Sequence, residues 1–191
     1  MSDIFEKNLS RRDFLKVISL LGGTVFVGNF FPLGQRLRGR KEMDSVVSVG
    51  IARGDSVADS VRRAVNLAGG FDFIKPGQSV LIKPNVNSDD PHPGTTNREV
   101  VFEVVKMVKE KDPQKIIVAD RSNPWWDTLK AMEKVGIYEA AVQGGAEVVI
   151  FGKEDYVKVN PENCYHWTKG FYIPHLVRQV DHIISLPVAK T

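Results

Sequence analysis

The stretch that decides the fold of this chain runs from Val80 to Asn97 and reads Val-Leu-Ile-Lys-Pro-Asn-Val-Asn-Ser-Asp-Asp-Pro-His-Pro-Gly-Thr-Thr-Asn. Its apolar start is typical of a buried β-strand, which should end at Pro84 because proline has no amide hydrogen for the ladder. A polar loop follows, and Thr96 with Glu99 has the spacing of a capping box that begins a helix. Loops of this kind, from a strand into a helix, are where open α/β sheets bind ligands, and the first helical amides favour an anion.

The rest of the chain alternates between strand-like and helix-like segments. Ser56 and Asp59 form a second capping box, and the helix that follows is predicted to end at Gly69-Gly70. This alternation predicts an α/β fold with a mostly parallel sheet and helices on both faces of the sheet. The predicted strands lie at 46–52, 79–82, 115–119, 146–151 and 180–186, with a hairpin-like insertion at 156–159 and 170–173; the later helices run up to 112, over 126–134 and from 137 to 144.

Charged side chains follow three of the predicted strands. Lys83 comes directly after the strand at 79–82, Asp120 ends the strand at 115–119, and Lys190 follows the last strand by four residues. Because right-handed crossovers bring the carboxyl ends of parallel strands to one edge, we expect these three residues to converge there. Two lysines at one edge would suit a phosphate or carboxylate. The alternative is that each aliphatic stem packs while its ammonium reaches solvent.

The same loops carry neutral polar side chains that can hydrogen-bond a ligand. Asparagine and threonine are also common turn and cap residues, and Thr96 can cap a helix while neighbouring amides face a ligand. Asp120 and Ser122, at a strand end, either bind a ligand or cap the next helix. The predicted ligand-binding residues are therefore Lys83, Asn85, Asn87, Thr95, Thr96, Asn97, Asp120, Ser122 and Lys190.

Asp89, Asp90 and His92 place oxygen and nitrogen ligand types within four residues of one another. A hard divalent cation would need further oxygen ligands, for which Asp120 is a candidate. The alternative is a solvated loop tip, since adjacent aspartates repel each other. The sequence leaves a divalent metal open as a cofactor, with these three residues as its predicted ligands.

Two further motifs invite a functional interpretation. Trp125-Trp126 precedes a helix, and such aromatic pairs more often join the core than form a stacking wall beside a ligand. Cys164 and His166 suggest a thiol nucleophile and its base, but a catalytic pair normally comes from separate segments. Because Cys164 is the single cysteine, the chain has no internal disulfide and no four-cysteine iron–sulfur cluster. No Walker loop, dinucleotide glycine motif, nucleophile elbow or zinc spacing occurs.

The first 31 residues have the pattern of an export signal. Residues 10–16, Ser-Arg-Arg-Asp-Phe-Leu-Lys, match the twin-arginine motif, with an apolar run over 17–31. The run is shorter than the roughly 20 residues of a membrane span, and Phe30-Phe31-Pro32-Leu33 is unusual for a cleavage site, so an uncleaved anchor is also open. The alternative is a buried or amphipathic helix with two chance arginines. The predicted signal residues are Arg11, Arg12, Phe14 and Leu15.

The export motif sets the predicted organisation and location of the chain. Residues 1–31 are the signal or anchor, 32–45 a linker rich in glycine and charge, and 46–191 the α/β domain. The twin-arginine translocase is then a partner, and the location is periplasmic or otherwise extracytoplasmic. The twin-arginine route carries folded proteins, which often acquire a cofactor in the cytoplasm.

The net charge of +3 arises from the leader and not from the domain. Residues 1–43 hold eight basic and four acidic side chains, which leaves 18 basic and 19 acidic side chains in 44–191. The predicted domain is therefore near neutral, and nothing in its charge calls for nucleic acid as a partner.

Three tracts carry a resemblance to a known family. Residues 81–85 (Leu-Ile-Lys-Pro-Asn), 93–97 (Pro-Gly-Thr-Thr-Asn) and 186–191 (Leu-Pro-Val-Ala-Lys-Thr) resemble the family called DUF362. The resemblance covers roughly 46–191 and is most specific at 81–97. It implies a widespread bacterial and archaeal family, often exported and sometimes joined to iron–sulfur modules, and it matches both Lys83 and Lys190.

Three hypotheses follow from the motifs and the resemblance. The first is an exported domain that binds a small anionic ligand at the carboxyl edge of the sheet, in a redox-linked or metal-assisted role. The second is a non-catalytic accessory or electron-transfer partner of an iron–sulfur protein. The third is an inactive fragment, because the chain stops at Lys190-Thr191 within a motif that relatives continue.

Overall fold

The computed structural model describes residues 47–152, 156–162 and 166–189. Helices and strands alternate along the described chain, as the sequence predicts. The strands are β1 (Ser79–Pro84), β2 (Lys115–Asp120), β3 (Glu147–Ile150), β4 (Tyr156–Val159), β5 (Phe171–Pro174) and β6 (His182–Leu186). The helices are α1 (Val57–Leu67), α2 (Arg98–Lys109), α3 (Thr128–Lys134), α4 (Ile137–Gly144) and the single turn α5 (Leu176–Gln179).

Four of the strands form a parallel sheet in the order β3-β2-β1-β6, and β4 and β5 form a separate antiparallel pair. Lys83 lies beside Ser185 in the register of β1 and β6, and β1 ends at Pro84 as predicted. We call the end of the sheet where Pro84, Asp120 and Leu186 lie the carboxyl edge. The α/β fold with a parallel sheet is confirmed.

The two faces of the sheet are covered unequally. Helices α1 to α4 pack against the face that contains Val80, Ile82 and Val118, which are fully buried. The other face, with Leu81 and Ile117, is contacted by the short helix α5. This division follows from the topology, because right-handed crossovers place the β1-β2-β3 helices on one face and the return from β3 to β6 on the other. The β1–β6 boundary is therefore where the chain changes direction across the sheet.

The described part of the predicted first strand is not a strand. Residues 47–52 pair with no strand, and Val47 and Val49 are 72% and 54% exposed. The backbone instead passes against helix α1, where a Cβ on Gly50 would lie 1.9 Å from the carbonyl oxygen of Ala64. The alternating valines that predicted a strand here therefore face solvent.

The predicted N-terminal cap is correct for helix α1 and wrong for helix α2. Ser56 caps α1, its Oγ accepting from the amide of Asp59 at 3.1 Å as predicted. Asn97, and not Thr96, caps α2, its Oδ1 accepting from the amide of Glu99 at 2.8 Å. The Thr96 hydroxyl is committed elsewhere, as described below.

Several predictions fall outside the described residues and stay predictions. They concern the export motif with Arg11, Arg12, Phe14 and Leu15, the linker, Cys164 and Lys190. Within the ranges that the structure describes, none of the helices has the length and apolarity needed to cross a membrane.

A histidine lies buried at the opposite, amino end of the sheet. His182 opens β6 and is 9% exposed, with its Nε2 2.8 Å from the side-chain oxygen of Gln78 and its ring edge-on to Phe73. With Gln78 as acceptor, Nε2 carries the proton, and the buried Nδ1 has no hydrogen-bond partner among the residues that the structure describes. Burial lowers the pKa of His182, and the neighbouring Asp181 opposes this effect.

Acidification is expected to destabilise the fold through His182. Its folded pKa lies below the unfolded value, so its contribution to stability is full above about pH 6.5 and is lost as the pH falls through the folded pKa. NMR titration should give a pKa below that of a free histidine. Urea unfolding at about pH 7.5 and pH 5.5 should show wild type losing more stability than His182→Phe. Titration at or above the free value would contradict this assignment.

Candidate functional site

The carboxyl edge is built around one ion pair between neighbouring strands. The Lys83 ammonium on β1 lies 2.6 Å from Oδ1 of Asp120, the last residue of β2. Asp120 is 3% exposed, whereas 45% of the Lys83 side chain is exposed. Lys83 and Asp120 therefore lie together at the carboxyl edge, as expected. The lysine ammonium faces solvent and the aspartate carboxylate is buried.

Asp120 also fixes the loop that leaves β1. Its Oδ2 accepts from the amide of Val86 at 2.7 Å, across 34 residues of sequence. Burial raises the pKa of Asp120, while Lys83 and then the amides of Arg121 and Val86 lower it. Desolvation outweighs the favourable contacts, which places this carboxylate closer to its protonated form than an exposed aspartate.

Thr96 joins three elements through one hydroxyl. Its Oγ1 donates to the carbonyl of Leu186 at the end of β6 at 2.7 Å and accepts from the amide of Asn85 after β1 at 2.8 Å. The amide of Thr96 donates to the carbonyl of Asn85 at 3.0 Å. Thr96 is 5% exposed and directly precedes the cap of α2, so it locks the β1–β6 boundary to the start of that helix.

The remainder of the 85–97 loop is held by bonds within itself. The buried Thr95 hydroxyl donates to the carbonyl of Asp90 at 2.9 Å, and the Asn85 side-chain amide donates to the carbonyl of Gly94 at 3.3 Å. His92 Nδ1 lies 3.2 Å from the carbonyl of Thr95. The predicted ligand-binding side chains at 85, 95, 96 and 97 therefore all contribute to the loop's own structure.

A second loop, at 121–127 after β2, is bonded to the first. The buried Ser122 hydroxyl donates to the carbonyl of Val86 at 2.8 Å, and the amide of Asn123 donates to the carbonyl of Asn87 at 3.3 Å. The amide of Ser122 donates to Thr128 Oγ1 at 3.0 Å. Ser122 thus holds the two loops side by side, and Asn87 is exposed at their junction.

The three predicted metal ligands have other partners in this arrangement. Asp89 forms an ion pair with Lys134, and the Ser88 hydroxyl donates to Asp90 at 2.6 Å. His92 contacts the loop backbone. Over 47–152, 156–162 and 166–189, no three His, Cys, Asp or Glu side chains are grouped so that they could hold a metal ion. The metal at this loop therefore stays a prediction.

The sequence interpretation missed Arg121, which brings a second cation to the carboxyl edge. Its Nη1 donates to the hydroxyl of Tyr156 on β4 at 3.1 Å. Gly152 has φ +98°, and a Cβ at that position would lie 3.1 Å from the same Nη1. In the sequence, Arg121 directly follows the end of a predicted strand, and this position could have identified it. The contact with Tyr156, 35 residues later, could not be read from the sequence.

The expectation that the tryptophan pair joins the core is wrong. Trp125 is 86% exposed and Trp126 is 42% exposed. Helix α3 begins only at Thr128, with Asp127 as its cap, so both indoles lie on the loop before the helix and not on its buried face.

The comparisons with known proteins bear on this site. No curated protein and no solved structure matches the chain. A family described as "Domain of unknown function (DUF362)" matches residues 80–191. The match covers more than half of the chain and includes both loops and the Lys83–Asp120 pair. The resemblance read from the sequence is confirmed, and the chain belongs to the DUF362 family.

Proposed function

We propose that this protein binds a small anionic molecule at the carboxyl edge of its sheet, with Lys83 as the main charged contact. One observation carries the proposal: Lys83 is anchored by the buried Asp120 yet keeps 45% of its side chain exposed. A lysine ammonium has three N–H groups. One faces Asp120 and one donates to the carbonyl of Pro84 at 3.1 Å. We assign the third to the ligand.

The topology supports this location. In open α/β sheets, ligands bind outside the carboxyl ends of the strands, where the direction of the chain across the sheet reverses. In the described sheet that place is the boundary between β1 and β6, with Lys83 and Ser185 side by side.

The roles of the predicted residues differ under this proposal. Lys83 and Arg121 supply positive charge, and Asn85 and Asn87 are partly or fully exposed polar groups at the same edge. Thr95, Thr96, Asn97 and Ser122 position the loops through their own hydrogen bonds. Lys190, which follows Ala189 at the end of the described chain, is proposed as a further cation on the sequence motif alone.

Lys83→Met is expected to weaken binding of pyrophosphate and citrate by roughly 10- to 100-fold, because a charge-assisted hydrogen bond is lost. Lys115→Met is a matched control, since Lys115 also has a 45% exposed side chain and an acidic partner, Glu147, but lies at the amino end of the sheet. Isothermal titration and ligand-induced shifts in melting temperature measure the effect. Equal binding by both variants would remove the proposal, as would the absence of binding to wild type. Circular dichroism must first show that each variant is folded.

A further inference from the structure

The loop after β2, at the carboxyl edge of the sheet, carries an indole ring that extends into solvent. Trp125 is 86% exposed, the highest value among the large apolar side chains of the described chain. An exposed tryptophan on a loop with no fixed position would need no explanation. This loop, however, is restrained along its length.

The restraints fix the backbone on both sides of Trp125. Asn123 Oδ1 accepts from the amide of Trp125 at 3.1 Å, and the carbonyl of Asn123 accepts from the amide of Trp126 at 3.1 Å. The loop closes on the Asp127 cap of α3, whose Oδ1 accepts from the amide of Lys130 at 3.1 Å. These bonds hold the backbone that carries the indole, and a tryptophan side chain has only two rotatable bonds, so it loses little conformational entropy on binding.

The indole and the lysine belong to the same edge. Asp120, which contacts the Lys83 ammonium, directly precedes this loop, and the bonds from Ser122 and Asn123 attach the loop to the segment at 86–87. A cation and an exposed flat ring on connected segments of one edge match a ligand that has an anionic group and a planar ring. The two groups would contact the Lys83 ammonium and the Trp125 face respectively.

We infer that the anion bound at the carboxyl edge is a phosphate or carboxylate attached to a planar aromatic ring, and that Trp125 stacks on this ring. The inference rests on the proposed function and narrows its ligand class. It assigns charge recognition to Lys83 and ring recognition to Trp125, so each part can be removed separately.

The test uses three phosphates that differ only in what the phosphate carries: phenyl phosphate, cyclohexyl phosphate and inorganic phosphate. Benzoate, cyclohexanecarboxylate and acetate form the matching carboxylate series. Wild-type full-length protein is expected to bind phenyl phosphate about tenfold more tightly than cyclohexyl phosphate, because only the planar ring can stack. Isothermal titration measures affinity in wild type and in every variant, and chemical-shift changes of the Trp125 indole N–H in wild type report where the ligand binds.

The variants separate the two halves of the inference. Trp125→Ala should abolish the preference for the aromatic ring, whereas Trp125→Phe should retain part of the preference. Trp167→Ala is the control, since Trp167 is 61% exposed on a different segment. Lys83→Met should weaken all the phosphates to a similar degree.

Two results would overturn this inference. Wild type could bind the phenyl and cyclohexyl compounds equally, or the preference for the ring could survive in Trp125→Ala. Either result would refute stacking on Trp125 and would leave the proposed anion site untouched. A partner protein would then be the better account of the exposed indole. If none of the six anions binds to wild type but pyrophosphate or citrate does, the inference fails alone; if none of the eight binds, the proposed function fails as well.

Discussion

Replacing Asp120 with alanine is expected to lower the free energy of unfolding by about 3 kcal/mol at neutral pH. The substitution removes the acceptor of the buried Val86 amide and the partner of the Lys83 ammonium in one step. Most of the cost comes from the amide, which has no water to replace the lost oxygen. The ammonium is half-exposed, so its loss of a partner is screened by solvent. Urea denaturation measures the change.

A double-mutant cycle isolates the ion pair from the amide contact. Lys83→Met should cost about 1 to 2 kcal/mol, less than the full penalty of an unpaired buried charge because Lys83 is half-exposed and Asp120 can be protonated. Asp120→Asn keeps an oxygen for the Val86 amide, so the double variant should be more stable than the sum of its parts implies. The cycle on Lys115 and Glu147, both exposed, is the control and should give under about 0.5 kcal/mol of coupling. Equal coupling in the two cycles would contradict the special position of Asp120.

The pH dependence of the stability of Lys83→Met independently tests the ion pair between Lys83 and Asp120. Burial raises the pKa of Asp120 above its ordinary value of 3.8, and removing the lysine should raise the pKa further. A group whose pKa is higher in the folded than in the unfolded protein stabilises the fold fully below the unfolded pKa. This stabilisation is lost as the pH rises through the folded pKa. The free energy of unfolding of Lys83→Met should therefore approach that of wild type as the pH falls from about 7 to about 4.5. A difference from wild type that is constant over this range would mean that Asp120 does not titrate there.

The order of strands and helices could be predicted because it depends on local patterns. The apolar runs that became β1 and β2 are buried on both faces of the sheet, which is the signature of parallel strands. The periodic valines of α2 were equally decisive, since Val101, Val104, Val105 and Val108 are all fully buried. The position of Lys83 and Asp120 at one edge of the sheet could then be predicted from parallel strands joined by right-handed crossovers.

The failures have a common cause in contacts between distant residues. The valines at 47 and 49 have a strand's alternation, but Gly50 packs against α1, and none of the described strands pairs with this segment. Thr96 has the spacing of a cap, but its hydroxyl bonds Leu186, 90 residues away, and leaves the cap to Asn97. A one-residue shift of a helix start is invisible to a spacing rule, because both residues are good caps.

The residues of the candidate site also differ in whether local sequence patterns determine their position. Lys83 and Asp120 could be proposed because each directly ends a strand, where the address of a side chain is set by topology. Arg121 and Trp125 lie on a loop whose course depends on bonds to Val86 and Asn87. Periodicity carries no information about such bonds, so the exposure of Trp125 could only be learned from the folded chain.

Thr96→Val is expected to lower the free energy of unfolding by about 3 kcal/mol, although valine has nearly the shape of threonine. The substitution removes the partners of two backbone groups, the part-buried amide of Asn85 and the buried carbonyl of Leu186. An unpartnered buried group costs about 1 to 3 kcal/mol, and the part-buried amide falls at the lower end of this range. Because the two groups belong to β1 and β6, the damage should appear as loss of hydrogen-exchange protection at that boundary.

Thr96→Ser is the matched control, since serine keeps the hydroxyl and loses only a methyl group. Its cost should be about 1 kcal/mol, the value of one buried methylene. Valine should therefore be markedly worse than serine, the reverse of the order expected if apolar packing at 96 were the dominant contribution. If the two variants are equally stable, the hydroxyl does not join β1 to β6. If serine is the worse of the two, Thr96 acts through its methyl group, and the proposed anion site would be held together only by Asp120 and the loops around it.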